Sequence, residues 1–411
     1  MSTSTIEPPV QAPAATQSSA LTQSRAALLT GPFLLLCFGH FAIDFYSAAV
    51  ATLQPLLADK YSLSLAQVGV LGGVFMFGSA VLQLFFGLLS DRIHSRLFVV
   101  LGLVTAGVFL SSLGVAPGYK SLLLIALLGG MGVSAFHPQS ASQAASLAKT
   151  RRGLGVAVFI TAGMIGLSLG PTYFSTMVEQ VGLERLPLAA LPALIIAAFL
   201  MWMLPAPSNG SEPGRRAFEW EPFRRQWKPL LLHYLLVVLR SIVHLGVAQF
   251  LTIYLYQNRG FTLRQTSVWL TVFFISSALA SLTGGSLADR IGGRRVVLIS
   301  MPACCPFFAL FLGTTGWLSL AGLFLGALIL LLSNPVMIVM AQDLVPAQAG
   351  TASALMMGFG WGMAGITFIP LLGWIADHVG LEAVLWGVIT LPIVGFLMAL
   401  KLPKEKPAQA T

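Results

Sequence analysis

Charged residues fall in short clusters along this chain, and between the clusters lie apolar stretches long enough to cross a bilayer. A hydrocarbon core of about 30 Å takes roughly 20 helical residues. By that measure the pattern predicts spans at 28–58, 66–89, 97–116, 120–147, 153–178, 187–204, 229–257, 265–288, 296–314, 317–342, 350–377 and 383–401. Residues 296–342 carry no charge over 47 positions and read as two crossings joined at Gly313-Thr314-Thr315-Gly316-Trp317. The runs are too long for strands and lack alternation of period two. The expectation is an all-α integral membrane protein of twelve transmembrane helices.

Composition sharpens this reading. Only 9% of the 411 residues are charged and 56% are hydrophobic, with a mean hydropathy of +0.84. Such a chain cannot clothe a soluble surface, nor is it polar enough to stay disordered, so lipid must be its main solvent. The formal charge of +9 does not signal nucleic acid, because the basic residues form no continuous face. They do signal orientation. Seventeen of the 23 Lys and Arg lie on one set of surfaces, which predicts that both termini are cytoplasmic. Residues 1–27, rich in Ser, Thr, Gln, Pro and Ala, read as a disordered cytoplasmic tail rather than a signal peptide. Cys37, Cys304 and Cys305 have no metal-ligand spacing and are expected to be small apolar packers. Neither a phosphate-binding Gly-Lys-Ser/Thr loop nor a nucleophile–base constellation is present, so neither ATP-driven transport nor an enzyme is expected, and no cofactor.

The chain also repeats itself. Gly87-Leu88-Leu89-Ser90-Asp91-Arg92 returns as Gly285-Ser286-Leu287-Ala288-Asp289-Arg290, 198 positions later. His137-Pro138 matches Asn334-Pro335, and Gly153 matches Gly350, each 197 apart. Two pseudo-symmetric six-helix bundles follow, at 28–204 and 229–402, with a cytoplasmic linker at 205–228 and a short tail at 403–411. Parallel repeats of this kind place a substrate site near mid-membrane between the halves.

The twofold Gly-x-x-x-Asp-Arg loop, between spans two and three and again between eight and nine, resembles the signature loop of the major facilitator superfamily. Three further segments resemble the fosmidomycin-resistance group of efflux proteins within it: Gly39-His40-Phe41-Ala42-Ile43-Asp44-Phe45 with Gln54-Pro55-Leu56-Leu57, then Phe136-His137-Pro138-Gln139, then Arg152-Gly153 through Gly170-Pro171. That group expels small drugs in exchange for protons. It often carries Glu where Gln139 stands, and Thr172-Tyr173 here follow its Gly-Pro step. The resemblance implies a proton-coupled antiporter in a bacterial inner membrane, working as a monomer on a small molecule. A proton-coupled importer of a small anion or sugar is the alternative, since the fold does not fix direction.

Polar residues inside the spans supply the candidate chemistry. Asp44 lies about 16 residues into the first span, roughly 24 Å along a helix, where an acid must face a cavity. Arg240 is the basic residue inside the seventh span, and subtracting 197 places it beside Asp44. The pair is expected to face each other across the pseudo-twofold axis. His40 is one turn before Asp44, and His244 one turn after Arg240. Asp44, His40 and His137 are the proton-coupling candidates, with the carrier among them left open. Arg240, His244, Gln139, Asn334, Tyr46, Gln249 and Tyr254 are the substrate-binding candidates, and Arg240 with its histidine favours an anion. The resemblance implies gating roles for Asp91, Arg92, Asp289 and Arg290. It sets Asp91 against the start of span eleven near Gly350 and Asp289 against span five near Gly153. Each carboxylate would latch onto a helix N-terminus and hold the cytoplasmic side shut.

Overall fold

A computed structural model describes residues 30–93, 95–148, 152–206 and 219–403. The tails expected at 1–27 and 403–411 and most of the 205–228 linker therefore lie outside the described residues, as do the Asp91 side chain and those at 152–154 and 350.

Every described span is helical, as lipid demands of a backbone that water cannot reach. The spans are α1 Gly31–Tyr61, α2 Leu65–Ser90, α3 Leu97–Ser111, α4 Tyr119–Leu147, α5 Gly155–Val181 and α6 Leu183–Met203. The second set is α7 Trp227–Asn258, α8 Leu263–Ile291, α9 Gly293–Gly313, α10 Gly316–Leu344, α11 Thr351–Val379 and α12 Leu381–Ala399. Eleven are long and apolar enough to cross a bilayer, and α3 is shorter than its expected 97–116. Its last residues leave the α-helix for a 3₁₀ turn at Leu113–Val115. Helix α6 starts earlier than expected, because a 3₁₀ segment at Leu183–Ala190 leads into it.

The repeat seen in sequence recurs in local geometry. Ser64 and Gln67 form a reciprocal capping box at the start of α2, and Thr262 and Gln265 form the same box at the start of α8, 198 positions on. Gly182 and Gly380, also 198 apart, both take positive φ, at 79° and 89°, to turn the chain between successive spans. One apolar core, from Phe33 to Leu204, fills the first half. A second lies almost wholly in the other half, yet Ala58 and Val68 of the first half belong to it. A third gathers around Phe223, Val296 and Leu402. Large apolar side chains such as Phe38, Leu84 and Leu282 stay exposed on the outside, where lipid rather than water would meet them. Trp202, Trp227 and Trp317, at helix ends, are exposed as an interfacial aromatic belt requires.

The halves meet most closely at the end bearing the Ser62–Ser64 and Gly260–Thr262 turns. Asp377 near the end of α11 accepts hydrogen bonds from the Leu65 and Ala66 backbone N–H groups, at 2.7 and 2.9 Å. A carboxylate thus caps the N-terminus of a helix in the other half. Nearby, Thr252 donates to the Ala51 carbonyl at 2.6 Å, and Thr172 meets Thr271 at 3.1 Å. Backbones touch where Gly69 and Gly73 face Ile369 and Pro370, and where Gly373 faces Leu65. This sealing was not foreseen. The expected latches concerned the other end, where Arg92, Asp289 and Arg290 are exposed.

Candidate functional site

Between the halves lies a cavity of about 400 Å³ lined from both bundles. Of the residues expected to bind substrate or proton, it brings together Asp44, Arg240, His244, Gln249 and Asn334. The fold explains why. Asp44 and Arg240 sit on the repeat-related helices α1 and α7, and both helices turn a polar stripe inward because the outer face belongs to lipid. Four stretches of π-helix interrupt the spans, at Phe77–Val81, Tyr254–Asn258, Ala354–Gly360 and Ala364–Phe368. The last two flank Trp361 and rotate it toward the cavity, a use of irregular helix common at functional sites.

The two charges do not pair. Asp44 is instead held between histidines, with His137 Nε2 at 3.2 Å from one carboxylate oxygen and His40 Nε2 at 3.4 Å from the other. Each ring is oriented from behind. His40 Nδ1 lies 2.6 Å from the Phe159 carbonyl, and His137 Nδ1 lies 2.8 Å from the Val133 carbonyl. A carbonyl only accepts, so Nδ1 carries a hydrogen in both rings. Both Nε2 atoms then face carboxylate oxygens, a contact that is attractive only when a proton sits between them. The Phe159 ring stacks on His40 at 4.0 Å, fixing it further. Gly163 on α5 leaves the room this cluster needs, since a Cβ there would strike the Asp44 carboxylate and the His40 ring.

Arg240 has no carboxylate partner. It is 2% exposed, donates from Nη2 to the Ser241 hydroxyl at 3.1 Å, and leaves Nε and Nη1 without a partner among the described residues. Its guanidinium lies 5.7 Å from the Trp361 ring centroid, a cation–π contact that offsets only part of the desolvation. His244 packs on Phe273 at 5.0 Å and on Trp361 at 5.2 Å, with Nε2 at 3.2 Å from the Ser277 hydroxyl and Nδ1 unpartnered.

Three expected binding residues are elsewhere. The Tyr46 hydroxyl donates to the Ala189 carbonyl at 2.5 Å and accepts from the Ala193 N–H, so it ties α1 to α6 inside the first bundle. The Tyr254 hydroxyl accepts from Arg259, whose remaining donors bind the Phe311, Leu312 and Thr314 carbonyls. Both tyrosines are satisfied and buried, which makes them structural. Gln139 is buried outside the cavity lining, and His40 and His137 stand behind Asp44 rather than lining the cavity themselves. Sequence reasoning missed Trp361 and Ser277; the spacing of Gly163, Gly166 and Gly170 reads only as close helix packing. A lone tryptophan in Gly358-Phe359-Gly360-Trp361-Gly362 was the available signal for the first; Ser277 offered none.

Two pseudo-symmetric helical bundles around a polar cavity have the architecture of a membrane transport protein. The family model of the Major Facilitator Superfamily matches residues 36–264 and 234–411, and the chain belongs to that superfamily, whose members are transporters and not enzymes. It is a multi-pass membrane protein. Over 391 residues it is 27% identical to the fosmidomycin resistance protein of Escherichia coli, covering 94% of this chain and 95% of that one. It is 23% identical to the hexuronate transporter of Bacillus subtilis over 392 residues, 85% of this chain and 88% of the other. Its fold is similar to that of a bacterial homologue of the human lysosomal transporter Spinster. The TM-score is 0.77 at 14% identity, over 92% of this chain and 100% of that one.

Proposed function

We propose that the protein is a proton-coupled antiporter that exports a small organic anion by alternating access, as a monomer in a bacterial inner membrane with both termini cytoplasmic. The observation that carries this reading is the contrast inside one cavity: Asp44 is clasped by two histidines, whereas Arg240 has two nitrogens with no partner among the described residues. A buried, unmatched guanidinium is costly until an anion reaches it. Its planar fork suits a carboxylate or phosphonate bidentately. The names of the relatives support the same chemistry, since fosmidomycin is a phosphonate and a hexuronate is a carboxylate.

The His40–Asp44–His137 cluster supplies the proton side of the cycle. Protons at the two Nε2 atoms hold the cluster together, and their release leaves lone pairs facing a carboxylate. Proton number and cavity charge are therefore linked. Antiport requires that substrate and proton compete at Asp44, so that each displaces the other; an anion held only at Arg240 would instead favour proton uptake and travel with the proton. Whether this linkage drives export or import depends on which side each species leaves from. Uptake of a labelled phosphonate into inside-out vesicles under a pH gradient tests it. Export predicts accumulation with release of protons from the lumen. Accumulation confined to right-side-out vesicles would reverse the direction, and gradient-independent flux would remove proton coupling.

A further inference from the structure

The hydrogen-bond chain behind His244 specifies more than a negative charge. Ser277 Oγ lies 2.9 Å from the Phe273 carbonyl, which can only accept, so the single hydroxyl hydrogen of Ser277 is spent there. The same oxygen lies 3.2 Å from His244 Nε2. With its hydrogen committed, Ser277 must accept, and Nε2 must carry the ring hydrogen. Nδ1 is then a lone pair. It has no partner, and His244 is only 4% exposed and lines the cavity beside Arg240. Phe273 and Trp361 pack on the ring, and Trp361 also carries the Arg240 guanidinium, so donor and acceptor are braced by one aromatic wall. Buried in the cavity wall are therefore charged N–H donors of Arg240 and, one helical turn away, a neutral nitrogen that wants a hydrogen.

We propose that the group recognised here is an oxyacid monoanion carrying both an ionised oxygen and a hydroxyl, such as a hydrogen phosphonate or a hydrogen phosphate monoester. The ionised oxygen takes a free N–H of the Arg240 guanidinium, and the hydroxyl donates to His244 Nδ1. This rests on the reading of Arg240 as an anion anchor and adds the protonation state that the anchor selects. A fully ionised group would set oxygen lone pairs against the Nδ1 lone pair. A simple ester would leave Nδ1 as empty as it is now, and a buried acceptor without a donor is unfavourable.

The experiment uses the full-length protein in lipid nanodiscs and three probes of nearly one shape. These are phenylphosphonic acid at a mildly acidic pH where it is a monoanion, its monomethyl ester and its dimethyl ester. Calorimetry is expected to show the acid binding about tenfold more tightly than the monoester, the worth of one hydrogen bond, with the neutral diester weakest. In His244→Phe, which keeps the aromatic packing, the acid-to-monoester ratio should fall to about one. Ser277→Ala removes the oxygen that fixes the tautomer and should lower the ratio without touching the cavity charge. Equal binding of acid and monoester, with the diester much weaker, overturns this inference and leaves the anion anchor standing. Survival of the preference in His244→Phe overturns it as well. Equal binding of all three, or of none, removes the anion reading and this inference with it. Phenyl phosphate run beside the acid tells a carbon-linked from an oxygen-linked group by which binds more tightly.

Discussion

Helices α1 and α7 occupy equivalent places in the repeat, and each carries one charge near mid-membrane, but the halves treat that charge in opposite ways. Around Asp44 the first bundle gathers two histidines, an aromatic ring and a glycine that clears space. Around Arg240 the second bundle supplies a serine, a tryptophan and no carboxylate. The matching position to His137 is Asn334, which cannot take a charge. On the proposed reading the first half exchanges protons, while the second stays incomplete until a ligand reaches Arg240. A symmetric pair of internal ion pairs would have left nothing for a substrate to neutralise. On that reading the asymmetry gives a repeated architecture two different tasks.

Removing the carboxylate should break the comparison most completely. Asp44→Asn leaves the histidines nothing to hold between them. Proton-driven accumulation should vanish while downhill exchange of substrate continues, as measured by flux in proteoliposomes with and without a pH gradient. Full accumulation by this variant would move the proton path elsewhere. Next in size is the other charge. Arg240→Gln keeps a polar side chain but loses the charged fork, and anion binding should weaken roughly a hundredfold, as for loss of a pair of charge-assisted hydrogen bonds. Arg240→Lys should recover only part of this, because an ammonium cannot bind two oxygens side by side. Unchanged calorimetric affinity in Arg240→Gln would make the arginine architectural.

A smaller effect is expected at the glycine that separates the halves' strategies. Gly163→Ala drives a Cβ into Asp44 Oδ2 and the His40 ring that faces it, so pH-driven flux should fall about tenfold with anion affinity at Arg240 unaltered. A parallel loss of both would show that the two sites are not distinct. The smallest effect concerns the seal between the bundles. Asp377→Ala removes two hydrogen bonds at a helix N-terminus, worth about 1 kcal/mol, and should shift the ratio of the two access states about fivefold. Spin-label distances between the start of α2 and the end of α11 would report the shift, and an unchanged distribution would make Asp377 a simple cap.

Much of this molecule was written along the chain. Lipid as solvent makes span length and charge spacing decisive, so the helices could be counted from apolar runs, and the 197–198 offset gave the two bundles and the equivalence of Asp44 and Arg240. Even the capping boxes at Ser64 and Thr262 stand in the sequence at that offset, because a cap is local chemistry. Tertiary structure alone decided which polar groups meet. Tyr46 and Tyr254 looked like binding residues, but the Ala189 carbonyl took the hydroxyl of the first and the Arg259 guanidinium that of the second. Asp44 turned to histidines on its own helix and on α4 rather than to Arg240, since the rotation of those helices and a missing Cβ at Gly163 set that contact. The seal by Asp377 joins residues 312 and 311 positions apart in the chain. Periodicity reports which side of a helix is apolar; it carries no record of which atom on the next helix has a hydrogen to give.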